Sequence, residues 1–265
     1  MDTLASKLSN KTLDQIVEHF DLNEVKGTAG GDFLPLVAES FGGLPVGGLR
    51  VWDGGDGPIK KMVYIGVAVD PIGMDSHMIF AFTQPDSLVP NFTLDSVFST
   101  LPPGMDPIMP EGGETYAFHL DLLPAVDLGV NLPYMEKCFI PLTDTQSKCK
   151  EFDGIIPALL SSAQNAIMSP WMLAQRSDTD AYNGIVFESA QTYLDHWISL
   201  VDNGLDDIAD KVVSTDPATR EQQNRALIFS RELDPVWQKI DMMVGAETSD
   251  YMITVLRNQE IEQPR

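Results

Sequence analysis

From residue 49 to residue 124 the chain runs in short, apolar, strand-like segments separated by Pro, Gly, Asp and Ser, with polar groups placed at a period of two on the fourth and fifth. This pattern predicts β-strands at Leu49–Trp52, Lys61–Val69, His77–Thr83, Asn91–Thr100 and Thr115–Leu122. The connectors carry no helical pattern. They are too short for parallel crossovers, so neighbouring strands run antiparallel. The stretch Leu101–Glu114 is the longest gap and is rich in Pro and Gly, as expected of a loop over a site. On the fourth strand Phe92, Leu94, Ser96 and Phe98 share one face, and Thr93, Asp95, Val97 and Ser99 share the other. Asp95 breaks the pattern, because Asp is depleted in strands and a buried carboxylate is costly without partners. It belongs at a rim, among hydrogen-bond donors, or in a pocket that uses its charge.

Helical spacing appears on either side of the strands. Residues 11–20 read as a short amphipathic helix with Asn10 as N-cap. Residues 153–174 carry Ile155, Ile156, Leu159, Leu160, Ala163 and Ile167 at helical spacing, and 185–201 repeats the pattern with Phe187, Ala190, Tyr193, Leu194 and Trp197. Asp216-Pro217 opens a further helix running towards Glu232, with Pro at its first position, and Tyr251–Leu256 forms a last one. The glycine pairs between Gly27 and Gly57 match no phosphate-loop signature and read as turns. Strands first and helices later predict an α+β layer fold. The chain reads as one domain over residues 1–265: an N-terminal helix and Gly-rich segment to 48, an antiparallel sheet from 49 to 124, and helices from 150 to 265.

Composition narrows the function. With 265 residues and 43% hydrophobic content the chain can bury a sizeable core. Seventeen basic against 39 acidic residues, a net charge of −22, disfavour nucleic acid and anionic membranes as partners. No apolar run is long enough for a membrane helix, and no signal-peptide pattern is present. The two cysteines, Cys138 and Cys149, form no C-x-x-C pair, which disfavours thiolate metal sites and fits a reducing, cytoplasmic compartment. The four histidines give no H-x-x-x-H pair, so no metal site is expected. Twelve methionines and four tryptophans suit either a core or a flat, apolar ligand.

Two further polar groups fall on strand positions. His119 and Asp121 share one face of their strand, with Tyr116, Phe118 and Leu120 on the other. A neighbouring strand that brings Asp95 alongside creates a carboxylate–imidazole pair suited to proton transfer. The plainer alternative has His119 and Asp121 bonded to each other and to the loop at Pro124. His77 opens its strand beside Asp75 and reads equally as a turn residue, and His196 reads as a packing or surface residue on a helix.

The run Phe82-Thr83-Gln84-Pro85-Asp86-Ser87-Leu88-Val89-Pro90-Asn91-Phe92-Thr93-Leu94-Asp95 resembles the strand–loop–strand of the ferredoxin-dependent bilin reductases, which ends in their catalytic Asp. It is also similar to red chlorophyll catabolite reductase, where a Glu follows a similar Pro-Asn-Phe. Val51-Trp52-Asp53 with Lys60-Lys61, His119-Leu120-Asp121-Leu122-Leu123-Pro124, and Ile167-Met168-Ser169-Pro170-Trp171 with Arg176 extend the resemblance over residues 49–176, closer to the chlorophyll-catabolite branch. The resemblance implies a three-layer α/β/α sandwich with a central antiparallel sheet and a helical C-terminal part, holding a linear tetrapyrrole between sheet and helices. It implies an oxidoreductase with no bound metal or flavin, taking single electrons from a ferredoxin-like donor. Asp95 would donate protons with His119 assisting. Asp234 falls near a second acidic residue of the chlorophyll-catabolite branch, and Arg176 suits a substrate carboxylate. Ser169, Thr93, His77 and Met78 complete the expected substrate contacts. The bilin-reductase His, counted back without gaps, lands on Met78 with His77 next door, and a family Glu falls near Gly66. Ferredoxins are acidic, so docking on this chain calls for a local basic patch such as Lys60-Lys61. The same fold performing acid/base chemistry without an electron donor, or carrying an apolar ligand, is the alternative. Monomer and homodimer are both compatible with the sequence.

Overall fold

The computed structural model describes residues 2–105, 111–213 and 216–262. Its centre is a nine-stranded sheet, antiparallel at every pairing, in the order β1-β3-β4-β5-β6-β7-β9-β8, with β2 also on the outer edge of β3. The strands are β1 (Asn23–Val25), β2 (Leu34–Ala38), β3 (Leu44–Asp53), β4 (Ile59–Val69), β5 (Met74–Thr83), β6 (Asn91–Leu101), β7 (Gly113–Leu123), β8 (Ile155–Pro157) and β9 (Leu173–Ser177). The helices are α1 (Leu4–His19), α2 (Leu132–Cys138), α3 (Thr143–Glu151), α4 (Ser162–Ile167), α5 (Thr179–Ala181), α6 (Phe187–Asn203), α7 (Asp206–Ala209), α8 (Pro217–Ile228), α9 (Val236–Val244) and α10 (Ala246–Arg257). The five strands expected from the sequence are β3 to β7, a meander of sequential neighbours. At the β3–β4 turn the Asp53 carboxylate accepts the Gly55 N–H at 2.8 Å, and Gly55 takes a left-handed φ of 57° that glycine adopts without strain.

Each sheet face carries its own core, which gives the three layers. On one face Leu94, Phe92, Phe118 and Leu120 pack with Ala5, Leu8 and Ile16 of α1 and Tyr193, Leu194 and Trp197 of α6. On the other, Val63, Ile65, Phe80 and Phe82 pack with Ile228 and Phe229 at the end of α8, Trp237 and Ile240 of α9, and Leu256 of α10. The expected sandwich is therefore the observed one. No helix among the described residues is long and apolar enough to cross a membrane.

Several boundaries differ from the expectation. α1 begins at Leu4, not at residue 11, and its N-cap is Thr3 rather than Asn10; the Thr3 hydroxyl accepts the Ser6 N–H at 3.1 Å. The buried stripe of α1 includes Ser9 and Thr12, small polar residues that hid its first half from the apolar pattern. Residues 153–174 do not form one helix. Pro157 sits in the edge strand β8, where a missing N–H is tolerated, and the Ser161–Gln164 capping box starts the short α4. β9 then inserts between β7 and β8, so the part expected to be helical also supplies two strands. α8 stops at Ile228, and α9 follows where no element was expected. Of the Leu101–Glu114 loop, residues 106–110 lie outside the described residues.

The Lys60-Lys61 pair does not make a surface patch. Lys60 lies 3.5 Å from Glu260, whereas Lys61 is fully buried beneath the C-terminal segment. The Lys61 ammonium donates to Val255 O at 2.5 Å and to Asn258 O, and Arg225 Nη1 donates to the same Asn258 O at 3.0 Å. Two buried cations thus grip the carbonyls at the end of α10, where the helix dipole favours positive charge. Burial pushes the Lys61 ammonium down to about 7, with Arg225 adding to the effect.

Candidate active site

The strand register sets Met78 of β5 opposite Asp95 of β6, Asp95 opposite His119 of β7, and His119 opposite Ala174 of β9. These four residues form one row across the sheet, on the face covered by α8 and α9. Directly opposed side chains approach within about 4.5–5.5 Å at Cβ, and here His119 Nδ1 lies 3.6 Å from Asp95 Oδ2. The two side chains are 18% and 30% exposed, enough for a ligand to reach them. Asp95 Oδ1 and His119 Nε2 have no hydrogen-bond partner among the described residues, so the pair is not saturated from within the protein.

The row floors a cleft of about 380 Å³, within the size range of small-molecule sites. Phe80, Thr93 and Val97 widen the floor, the segment Ala158–Leu160 with Met168 forms one flank, and Phe229, Asp234 and Trp237 close the top. The lining is largely apolar with a few converging polar groups, the usual make-up of a small-molecule site. Two cations reach the wall, Arg176 of β9 and Lys239 of α9.

Charge follows this geometry. Burial alone would disfavour the imidazolium of His119, but Asp95, Asp121 and Asp234 outweigh it and raise His119 above its ordinary value. Asp234, just before α9, accepts the Val236 N–H at 3.0 Å, and burial together with the Asp95 charge raises its carboxyl. Asp121 is fully buried behind the row; burial pushes its carboxyl up to about 6 against the hydrogen bonds from Ser169.

Of the residues expected at the site, Asp95, His119, Asp234, Arg176, Thr93 and Met78 all line the cleft. Two do not. His77 lies on the opposite face of β5 by strand parity, with Nδ1 2.6 Å from Tyr64 Oη and Nε2 2.9 Å from Asp75 Oδ1. Ser169 is buried and spends its N–H and hydroxyl on the Asp121 carboxylate. His119 and Asp121 do not turn to the Pro124 loop. Sequence reading missed Trp237 and Lys239, because α9 was not recognised. The signal was present: Asp234-Pro235 followed by Val236, Trp237, Ile240, Met243 and Val244 at helical spacing. Among the described residues no three His, Cys, Asp or Glu side chains converge as metal ligands would.

No family model matches the chain, and no curated protein matches it by sequence. Among solved structures, the crystal structure of selenomethionine phytochromobilin synthase from tomato in complex with biliverdin is similar, with a TM-score of 0.66 at 18% sequence identity, over 96% of this chain and 83% of that chain. The chain thus has the fold of phytochromobilin synthase, a ferredoxin-dependent bilin reductase, the superfamily its strand and loop residues resemble.

Proposed function

We propose that this protein is an oxidoreductase that reduces a linear tetrapyrrole, bound flat between the sheet and α8–α9. The observation that carries the reading is the Asp95–His119 pair, set in register on the floor of an apolar cleft, in a fold shared with an enzyme solved in complex with biliverdin. Two electrons arriving singly and two protons saturate one conjugated double bond. The Asp95–His119 pair holds a proton that Asp95 delivers and His119 replenishes, and Asp234 supplies an acid from the helix side. Arg176 and Lys239 suit the two propionate carboxylates of a bilin. The chain itself holds no metal or flavin in this reading, and a ferredoxin-like protein supplies the electrons.

A second reading, acid/base turnover with no electron donor, draws support from one observation. Lys61 is buried and Lys60 is paired, so that pair gives an acidic ferredoxin no basic footing on a chain of charge −22. One experiment separates the two. The protein is mixed with biliverdin, with and without reduced ferredoxin, and the absorption spectrum is followed. Reductant-dependent bleaching or shift of the bilin band supports reduction. Turnover without reductant supports the second reading. Asp95→Asn should bind biliverdin and reduce it about 100- to 10,000-fold more slowly; full activity in that variant sinks the role given to Asp95.

A further inference from the structure

Asp121 is the least exposed charged group near the cleft, at 0%, and it does not line the cleft. Its carboxylate is nevertheless fully engaged. Ser169 N donates to Oδ2 at 2.8 Å and Ser169 Oγ lies 2.5 Å from Oδ1. The Ser169 hydroxyl oxygen accepts the Trp171 N–H at 3.1 Å, which leaves its own proton for Asp121. Both carboxylate oxygens are therefore acceptors, the arrangement of an ionised group. Ser169 starts the turn that leads into β9, and β9 carries Ala174 opposite His119 and Arg176 opposite Ala117. On β7 itself, Asp121 stands two residues from His119 on the same face, across from Thr93.

We propose that Asp121 is a positioning residue of this site, supplying a counter-charge behind His119 and, through Ser169, holding the strand that carries Arg176. The proposal rests on the Asp95–His119 pair being the proton-handling pair of the proposed reaction. Both of its oxygens bond Ser169, at the head of the turn into the strand that carries Arg176, while Asp121 itself stands two residues from His119 on β7. The charged groups facing His119 are Asp95 from β6, Asp121 from β7 and Asp234 from the start of α9, with Arg176 of β9 and Lys239 of α9 on the cleft wall. Asp95 and Asp234 face the cleft, where a bound ligand changes their surroundings. Asp121 lies behind the wall and keeps its field when the ligand is in place.

The test is Asp121→Asn, which keeps the shape and the Ser169 N–H bond and removes the charge. His119 is followed by NMR titration of the full chain, with its signal assigned by comparison with His119→Gln. Its titration midpoint is expected to fall by on the order of one pH unit in D121N, with the alkaline limb of biliverdin reduction falling by the same amount. Ser169→Ala keeps the charge and loosens β9; it should leave the His119 midpoint in place and raise KM for biliverdin several-fold with kcat little changed. An unchanged His119 midpoint in a folded D121N overturns the proposal, whatever the effect on melting temperature. If D121N does not fold, the wild-type chain carries the test: His119 must show a second inflection where the Asp121 carboxyl titrates, and a single inflection overturns the proposal. The titration needs no substrate. Failure of biliverdin reduction with a shifted His119 midpoint would therefore overturn the reaction and leave the counter-charge standing.

Discussion

Asp95 and His119 face each other across β6 and β7 with the same register running unbroken along the whole strand pair, from Asn91↔Leu123 to Leu101↔Gly113. A slip of one residue would send one of them to the opposite face. The pair is thus a product of strand pairing, and its protonation follows from its surroundings. His119 is raised above its ordinary value, net of a burial effect that acts the other way. A raised imidazole stays protonated to higher pH, so the proton-loaded pair persists through neutrality and is lost only as pH climbs through the raised value. Reduction rate should accordingly hold on the acidic side and fall on the alkaline side, with a midpoint above the free-imidazole value of about 6.5. His119→Gln should abolish that limb and slow turnover about 100-fold or more. A pH–rate profile of the two proteins checks it; an alkaline limb that survives in H119Q assigns the limb elsewhere.

Lys239 is an exposed ammonium on the cleft wall. If it meets a propionate, Lys239→Gln should weaken biliverdin binding about 2- to 5-fold, the scale of an exposed ion pair. Biliverdin dimethyl ester, which has no propionate charge, should bind wild type and variant alike. Absorbance titrations with both ligands decide the matter, since an equal loss for acid and ester means packing, not charge.

Lys61 makes a prediction about stability. Its folded value is near 7, while an unfolded lysine titrates near 10.4. Between these values the unfolded chain binds more protons than the folded one, so this group's contribution to stability rises with pH across that window. Below 7 both forms are protonated and the penalty of the buried charge is at its full size. Lys61→Met removes the titration but leaves the Val255 and Asn258 carbonyls without their donor. The difference in melting temperature between wild type and K61M should therefore move in favour of wild type from pH 7 to pH 10. A difference that stays flat with pH shows that Lys61 titrates alike in both states.

Strand parity carried most of what could be read in advance. Because Asp95 and His119 each occupy the polar face of an otherwise apolar strand, their side of the sheet followed from the sequence. Parity also explains His77, which is one residue from Met78 and so lies on the opposite face from the cleft. Ser169 was expected as a substrate contact but is buried off the cleft, and its partner was hidden because the bond to Asp121 spans 48 residues. α9 eluded the reading because its polar neighbours Gln238, Lys239 and Asp241 break up a short apolar stripe. β8 and β9 are too short to show a period at all.

The grip of Lys61 on the end of α10 has a consequence for the order in which the chain is made. Lys61 leaves the ribosome well before its acceptor Val255, 194 residues later along the chain. At about 5–20 residues per second, that interval is on the order of 10–40 s. Throughout it, the β4 face of the sheet carries an ammonium with neither of its α10-end carbonyls to meet it. The opposite face closes sooner, because its cover, α1 and α6, is complete at Asn203. The face that holds the candidate site is the last to be roofed, because α8, α9 and α10 all follow α6 in the chain.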